Sequence, residues 1–457
     1  MNNGENGSVE RDVADYIAGA LEAEIPASVL ARARCHLLDT LAAIISGRNL
    51  PAGDFGFRLA SESGVGADAT LLGTSQQVSL ECAAFANAMA AHAGETDDSH
   101  VRGRFHPGCA VVPAALAVAE RFDTSGKDLL KAIVLGYDIG ARSTIALGFS
   151  NPRTTAISTH SFGALFGAAA SSGALMGLTP FESESLLSVT VQQASGLSYW
   201  NRDPDHIEKS FDFGAKAARN GVFAAMLAKA GMTAPSLPLT GENGYLAAYA
   251  EVANPAALAD ELGTRFEIEG ATIKKWSAGS PIQSVLDAVE AIFGGKSFDP
   301  ATISEVVVHL PSNRIHVVDD RQMPAVCCQH LVAVALLDGR VTFASSHDKS
   351  RMSDRDVLGL RKKIHLVAED DLAKARPERQ SVVEFTMTNG ERHRHQAKVV
   401  RGTPDDPMLP EEVAAKAADI LEPTMGSGAS ALIDLVLTRE FNMEELVSAC
   451  STRAEAA

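Results

Sequence analysis

Apolar residues recur at helical spacing through the first half of the chain. In "ASVLARARCHLLDTLAAIISG", residues 27 to 47, they fall at Val29, Leu30, Ala33, Leu37, Leu38, Leu41, Ile44 and Ile45, and Gly47 closes the run. The stretch "VSLECAAFANAMAAHAG" is dominated by alanine and ends at Gly94, and "GALFGAAASSGALMG" ends at Gly177. Helices this rich in Ala and Gly are thin, so neighbours can approach closely. Further helices are predicted at 109–122, 126–147, 180–194, 215–231 and 242–252. Charged residues break every such run short of the ~18 apolar residues that a membrane span needs, so none is expected.

The pattern changes near residue 264. "RFEIEGATIKKW" alternates in the strand manner, and "ISEVVVHLP" (303–311) is rich in β-branched residues. "SVVEFTMTNGERHRHQAKVV" reads as a hairpin, and Asn389-Gly390 predicts a two-residue loop at its turn. Helical text lies between these strands at 281–294 and 324–338, and returns after "RGTPDDPMLP" at 411–421 and 428–437. The fold class predicted is mainly α. It comprises an all-α domain from residues 1–263 plus 403–457, and an inserted α+β domain over 264–402, each of ordinary domain size or larger.

With 46% hydrophobic and 21% charged residues, the 457-residue chain has the make-up of a globular protein with a sizeable core. Its formal net charge is −17, and no basic stripe appears, which argues against nucleic acid as a partner. Clusters of Arg and Lys therefore carry more information about anionic small molecules here than they would in a basic protein. The six cysteines (35, 82, 109, 327, 328 and 450) are scattered without a CxxC, so reduced thiols in a cytoplasmic protein are expected. The polar start "MNNGENGSVERDV" lacks the apolar core of a signal peptide.

The densest chemistry is "HAGETDDSHVRGRFHP", residues 92 to 107, set directly before an apolar run. A metal site, an acid–base site and a solvated turn compete for it. Metal sites usually repeat a spacing such as HExxH; none occurs, although His92, Asp98 and His106 combine on paper. A solvated turn is the expectation for Asp97 or His100 taken alone, but it accounts less well for the whole block. Loops between buried helices are where a scaffold presents catalytic groups. A second cluster is "HIEKSFDFGAKAARNG" (206–221), where Gly214 is read as opening a helix and Lys216 and Arg219 as its solvated face. Lys209, on a loop beside Phe211 and Phe213, is the better anion ligand of this group. In "IKKWSAGSPIQS" (273–284) Lys274 and Lys275 alternate, so one faces inward, and a helix starts at about Pro281. His330, in "CCQHLVAVALLDG", lies on an apolar helix, where a core histidine is the ordinary reading. No Rossmann glycine motif, P-loop or nucleophile elbow occurs, so no cofactor is expected. Imidazole, carboxylate and hydroxyl beside lysine and arginine suit removal of a proton α to a carboxylate.

Taken together, "HAGETDDSH…HPG", "KSFDFGAKAARNG", "KKWSAGSPIQ" and "QHLVAVALLDG" resemble the MmgE/PrpD family over almost the whole chain and in the same order. That family includes 2-methylcitrate dehydratases, cis-aconitate decarboxylases and iminodisuccinate epimerases. The resemblance implies a helical domain built from both chain ends, an inserted α+β lid domain, a homodimer, and cofactor-free, metal-free chemistry on di- or tricarboxylates. The family's acidic motif falls on Glu95, Asp97 and Asp98 with its hydroxyl at Ser99, and its "HP" histidine on His106. Its active-site lysine falls on Lys209 and its lid lysine on Lys274, while His330 stands where a tyrosine is common. Asp212 replaces the histidine of the usual "KPLHIG". The histidine ahead of the glycine-rich helix is matched by His160, two positions nearer that helix.

The expectation is thus a cytoplasmic, cofactor-independent lyase resembling 2-methylcitrate dehydratases. Its expected catalytic set is Glu95, Asp98, Ser99, His106, His160, Lys209 and His330. Arg102, Arg104, Lys274 and Gln283 are expected to bind substrate. In this scheme His106 or His160 removes the proton, Glu95 or Asp98 orients that base, and Ser99 or His330 assists the leaving group. The alternatives are an epimerase with a base on each face of the carbon, and a carboxylate-binding homologue without turnover.

Overall fold

A computed structural model describes residues 8–148, 156–294, 297 and 299–451. The first seven residues of the polar start read above lie outside the described residues. The fold is mainly α, and the chain divides into two compact units. The first comprises residues 1–93, 97–271 and 424–457; the second comprises 94–96 and 272–423. The chain thus leaves the first unit at Ala271, builds the second, and returns at Thr424.

The helices of the first unit follow the predicted periodicity closely. They include Ala27–Gly47, Leu80–Ala93, Gly108–Phe122, Gly126–Ile145, Thr159–Leu175, Pro180–Gln193 and Lys216–Lys229. The text at 242–252 shortens to Tyr245–Tyr249. Thinness does what the composition implied. A Cβ on Gly167 would fall 2.5 Å from the Gly136 carbonyl oxygen, and one on Gly140 would fall 2.5 Å from that of Gly163. The helices Gly126–Ile145 and Thr159–Leu175 therefore meet backbone to backbone at these glycines, an approach no larger residue permits. After the return, Gly428–Thr438 is held to the Ala27–Gly47 helix by Arg34, whose Nη1 donates to the Val436 and Arg439 carbonyls, each at 2.7 Å.

The second unit carries a four-stranded sheet in the order 364–369, 303–311, 381–387, 392–397. Strand 303–311 runs parallel to 364–369 and antiparallel to 381–387, which pairs antiparallel with 392–397. The alternation of 303–311 buries Ile303, Val306, Val308 and Leu310 against the helices Gln283–Phe293 and Cys328–Asp338. Three details differ from the sequence reading. The hairpin loop has three residues, 388–390, because Thr386 pairs with Arg392 and Met387 N–H donates to the Glu391 carbonyl at 2.8 Å. Gly390, at φ +86°, supplies the left-handed turn such a loop needs. The predicted strand at 265–276 is a 3₁₀ turn, Glu267–Gly270, followed by the two-residue strand Ala271–Thr272. The helix Pro410–Met425 belongs to the second unit up to Pro423, where the sequence placed everything after 402 in the helical domain. Its Lys416 is buried there and donates to the Thr96 carbonyl at 2.8 Å.

All six cysteines are free thiols, and Cys82 is the one that is not buried. Among the described residues, no helix is long and apolar enough to cross a membrane.

Candidate active site

The acidic stretch is not a solvated turn. Asp97, Asp98, Ser99 and His100 are at most 1% exposed, so each needs a partner in place of water. His92, at the end of the Leu80–Ala93 helix, and His106, just ahead of Gly108–Phe122, both present Nδ1 to Asp97 Oδ2. The distances are 2.8 and 3.1 Å. Asp98 faces elsewhere. Its oxygens accept from His36 Nδ1 at 2.7 Å, from the Gly108 amide at 2.9 Å, and from the Tyr137 hydroxyl. The carboxylate on His106 is therefore that of Asp97, while Asp98, expected to orient His106 or His160, bonds His36 instead. Burial alone would push the Asp98 carboxyl up, but the His36, Tyr137 and Gly108 hydrogen bonds outweigh it and hold it below the ordinary carboxylate range.

Three further elements bring aromatic and basic groups to His106. His160 sits in the first turn of Thr159–Leu175, its ring nearly parallel to that of His106 with centroids 5.7 Å apart. Phe213 packs between the imidazoles, 4.0 Å from His160, 4.7 Å from His92 and 5.4 Å from His106. Trp200, on the 3₁₀ turn Ser198–Arg202, stands 4.6 Å from Phe213 and 5.7 Å from His160. The buried Lys209 ammonium lies 5.2 Å from the Phe213 ring centre and 5.8 Å from that of Trp200, within cation–π range. His92, Asp97, Phe213 and Trp200 lay outside the expected catalytic set. His92 and Asp97 were visible in the polar block, whereas Trp200 lies outside every motif quoted above.

Lys209 is helical, not on a loop. Ile207–Ser210 runs through a π turn, Phe211–Ala215, into Lys216–Lys229, so Gly214 lies inside a continuous helix and offers no free N-terminal amides. Its glycine serves approach, since a Cβ there would be 2.9 Å from the Ala88 carbonyl oxygen. Lys216 is not a solvated face either, because it pairs with Asp212 at 3.0 Å and donates to the Ser195 carbonyl at 2.8 Å. Burial pushes the Asp212 carboxyl up, against the opposing pull of Lys216 and Ser158. Arg102 is exposed and reaches Glu267 at 3.6 Å. Arg104 is also exposed, and its carbonyl accepts from Thr159 Oγ1 at 3.1 Å.

The other expected residues lie in the second unit. Segment 94–96 is held there by its carbonyls: His347 Nε2 bonds Gly94 at 2.8 Å, Lys274 Nζ donates to Glu95 at 2.6 Å, and Lys416 takes Thr96. Glu95 adopts φ +53°, a strained value for a residue with a side chain. Lys274 is thus the inward lysine, while Lys275 pairs with Glu290 and covers the Trp276 ring. Gln283 closes its own turn. Its amide bonds Trp276 N–H and the carbonyls of Trp276 and Ala278, at 2.9–3.0 Å.

His330 is fully buried, and among the described residues neither of its ring nitrogens has a hydrogen-bond partner. Burial, helped by Arg361 and Arg351, pushes its pKa down to about 4. A group whose folded pKa is depressed contributes stability above the unfolded value of 6.5 that is lost as pH falls through the folded one. His330→Leu should therefore flatten the fall of melting temperature on acidification through that window. Parallel slopes for the two proteins would refute it.

His92, Asp97 and His106 offer one ligand atom each, all within 4.8 Å of one another, so they could hold a divalent transition-metal ion. The same atoms are already joined by hydrogen bonds into a carboxylate–imidazole set, which is also what an acid–base site requires.

Comparison with known proteins bears on which chemistry applies. Residues 11–257 match the MmgE/PrpD N-terminal domain and residues 276–439 the MmgE/PrpD C-terminal domain. The chain is similar to the cis-aconitate decarboxylase-like protein oryM of Aspergillus oryzae, with 30% identity over 49% of this chain and 48% of that protein. Similarity to the cis-aconitate decarboxylase of Aspergillus terreus is 27% over 50% and 46%. The human cis-aconitate decarboxylase is 24% identical over 75% and 73%. The matched region spans about half the length of the two Aspergillus relatives.

Proposed function

We propose, because the chain belongs to the MmgE/PrpD family, that it is a cofactor-independent lyase acting next to a carboxylate of a di- or tricarboxylic acid. The observation that carries this reading is the Asp97–His106 pair stacked on His160 beside Lys209. A carboxylate at Nδ1 favours the tautomer protonated there, which leaves Nε2 of His106 as the basic nitrogen. Lys209 holds one substrate carboxylate, and a cation there stabilises the charge that develops as the α C–H bond, or in a decarboxylation the C–CO₂ bond, breaks. His160 then supplies or receives the second proton. Breakage of C–H followed by loss of hydroxide makes a dehydratase. Loss of CO₂ followed by protonation of the carbanion makes a decarboxylase, the activity in the names of the relatives.

A second reading, epimerisation, draws on the two imidazoles at 5.7 Å, which could serve opposite faces of one carbon. Proton NMR in D₂O against a panel of citrate, 2-methylcitrate, aconitates, malates, tartrates and aspartate-derived acids tests both readings. One acid should lose a proton signal or take up solvent deuterium, and its product separates lyase from epimerase. Ligand-induced thermal stabilisation without exchange on any acid would replace both with a binding protein.

Metal dependence is tested separately at the His92–Asp97–His106 set. Dialysis against a chelator should leave turnover within about twofold of the starting protein, as acid–base catalysis by side chains requires. Loss of activity restored by one metal would replace the cofactor-free mechanism.

A further inference from the structure

A second polar hub lies beside the imidazole cluster, and three segments of the first unit converge on it. Asp212 is buried on the π turn that also carries Phe213, one turn of chain from Lys209. One of its oxygens accepts from Ser158 Oγ and the other from Lys216 Nζ at 3.0 Å. Ser158 immediately precedes the helix whose first turn holds His160, and its hydroxyl accepts from the Trp200 indole N–H at 3.3 Å. The segment leading to Trp200 is tied in at several points. Ser158 N–H donates to the Gly196 carbonyl at 3.1 Å, and Lys216 Nζ and Ser161 Oγ each donate to the Ser195 carbonyl at 2.8 Å. Space at the junction is closed, since a Cβ on Gly196 would fall 2.9 Å from Asp212 Oδ1 and 3.0 Å from Ser161 Cβ.

Each arm of the hub ends on a group that faces His106 or Lys209. The first arm ends on His160, the second on Trp200, and the third, through its own helix, on Phe213 and Lys209. Ser158, on the first arm, bonds the other two at once, donating to Asp212 and accepting from Trp200, and so fixes an angle between the arms that no arm's own helix or turn determines. We infer that Asp212, backed by Lys216, is a positioning residue for the proposed reaction. Acting through Ser158, it sets the His160 imidazole and the Trp200 indole against Lys209. The inference rests on the lyase reading for its kinetic consequence, but its structural consequence stands apart from any substrate.

The chain has two tryptophans, Trp200 and Trp276, so in a Trp276→Phe background Trp200 is the sole reporter. Asp212→Ala and Ser158→Ala should each move its emission to longer wavelength and raise acrylamide quenching. Both should lower kcat by about 10–10²-fold with KM held within about threefold, the pattern of misplaced rather than missing binding groups. Asp212→Asn should recover part of both losses, because its amide oxygen still accepts from Ser158. Circular dichroism checks that each variant folds, and Ser158→Ala decides the matter if Asp212→Ala does not. Unchanged emission and quenching in the folded variants would overturn the inference. So would a rise in KM at constant kcat, which would place Asp212 or Lys216 on the substrate itself. If the parent protein turns over no acid, the lyase reading fails by itself, and the emission of the two variants still decides whether Asp212 orders the hub.

Discussion

Replacing His106 by alanine is expected to lower kcat by roughly 10²–10⁴-fold, the usual contribution of a positioned acid or base. His106 is the imidazole that both receives the Asp97 carboxylate and stacks on His160, so its loss removes the proposed base and one wall of the cluster together. His92 does not stand in for it. It shares Asp97 at 2.8 Å, but its ring meets that of His106 edge-on at 77°. Lys209→Ala should act differently, raising KM as a carboxylate loses its cation and lowering kcat as the developing charge loses its partner. Steady-state kinetics on whichever acid exchanges in D₂O measures both effects. Normal turnover by both variants would sink the proposed mechanism.

Legibility followed the physics of each segment. The helices of the first unit could be read because their apolar periodicity runs over many turns, and their Ala and Gly content announced the close crossing at Gly136 and Gly167. The segment 265–276 misled because alternation over so few residues is compatible with a 3₁₀ turn, and only Ala271–Thr272 is extended. In the site, the polar block was legible as a cluster but not in its internal wiring. Asp97 and Asp98 are adjacent and chemically identical, yet one turns to His92 and His106 while the other turns to His36 and Tyr137. His36 and Tyr137 stand among other polar residues on the helices Ala27–Gly47 and Gly126–Ile145, each 39 or more positions away along the chain. Trp200 was invisible for a related reason, since it reaches the cluster only through the fold. A departure from pattern proved more informative than a match: Asp212, noticed because a histidine was expected, turned out to accept from Ser158, the residue that precedes the His160 helix and itself accepts from Trp200.

The Asp98 network should dominate the stability of the first unit. In Asp98→Ala, the His36 ring nitrogen, the Tyr137 hydroxyl and the Gly108 amide would all lose their acceptor inside the core. Breaking a buried pair in this way costs about 3–5 kcal/mol. The site leaves little room for repair, because even a Cβ on Gly108 would fall 2.6 Å from Thr40 Oγ1 and 3.0 Å from the Tyr137 hydroxyl. Asp98→Asn keeps the shape and one acceptor, so it should cost less. Urea unfolding followed through Trp200 in the Trp276→Phe background reads the first unit, where Trp200 lies, and keeps the other unit's transition out of the signal. The pH dependence then separates charge from shape. Asp98 titrates below its unfolded value of 3.8, so the stability it contributes is complete above that value and lost as pH falls through the folded one. The advantage of the parent over Asp98→Asn should hold at neutral pH and shrink once pH passes below 3.8. An advantage unchanged deep into that acid range would mean that packing, and not the carboxylate's charge, holds the two ends of the 98–108 loop together.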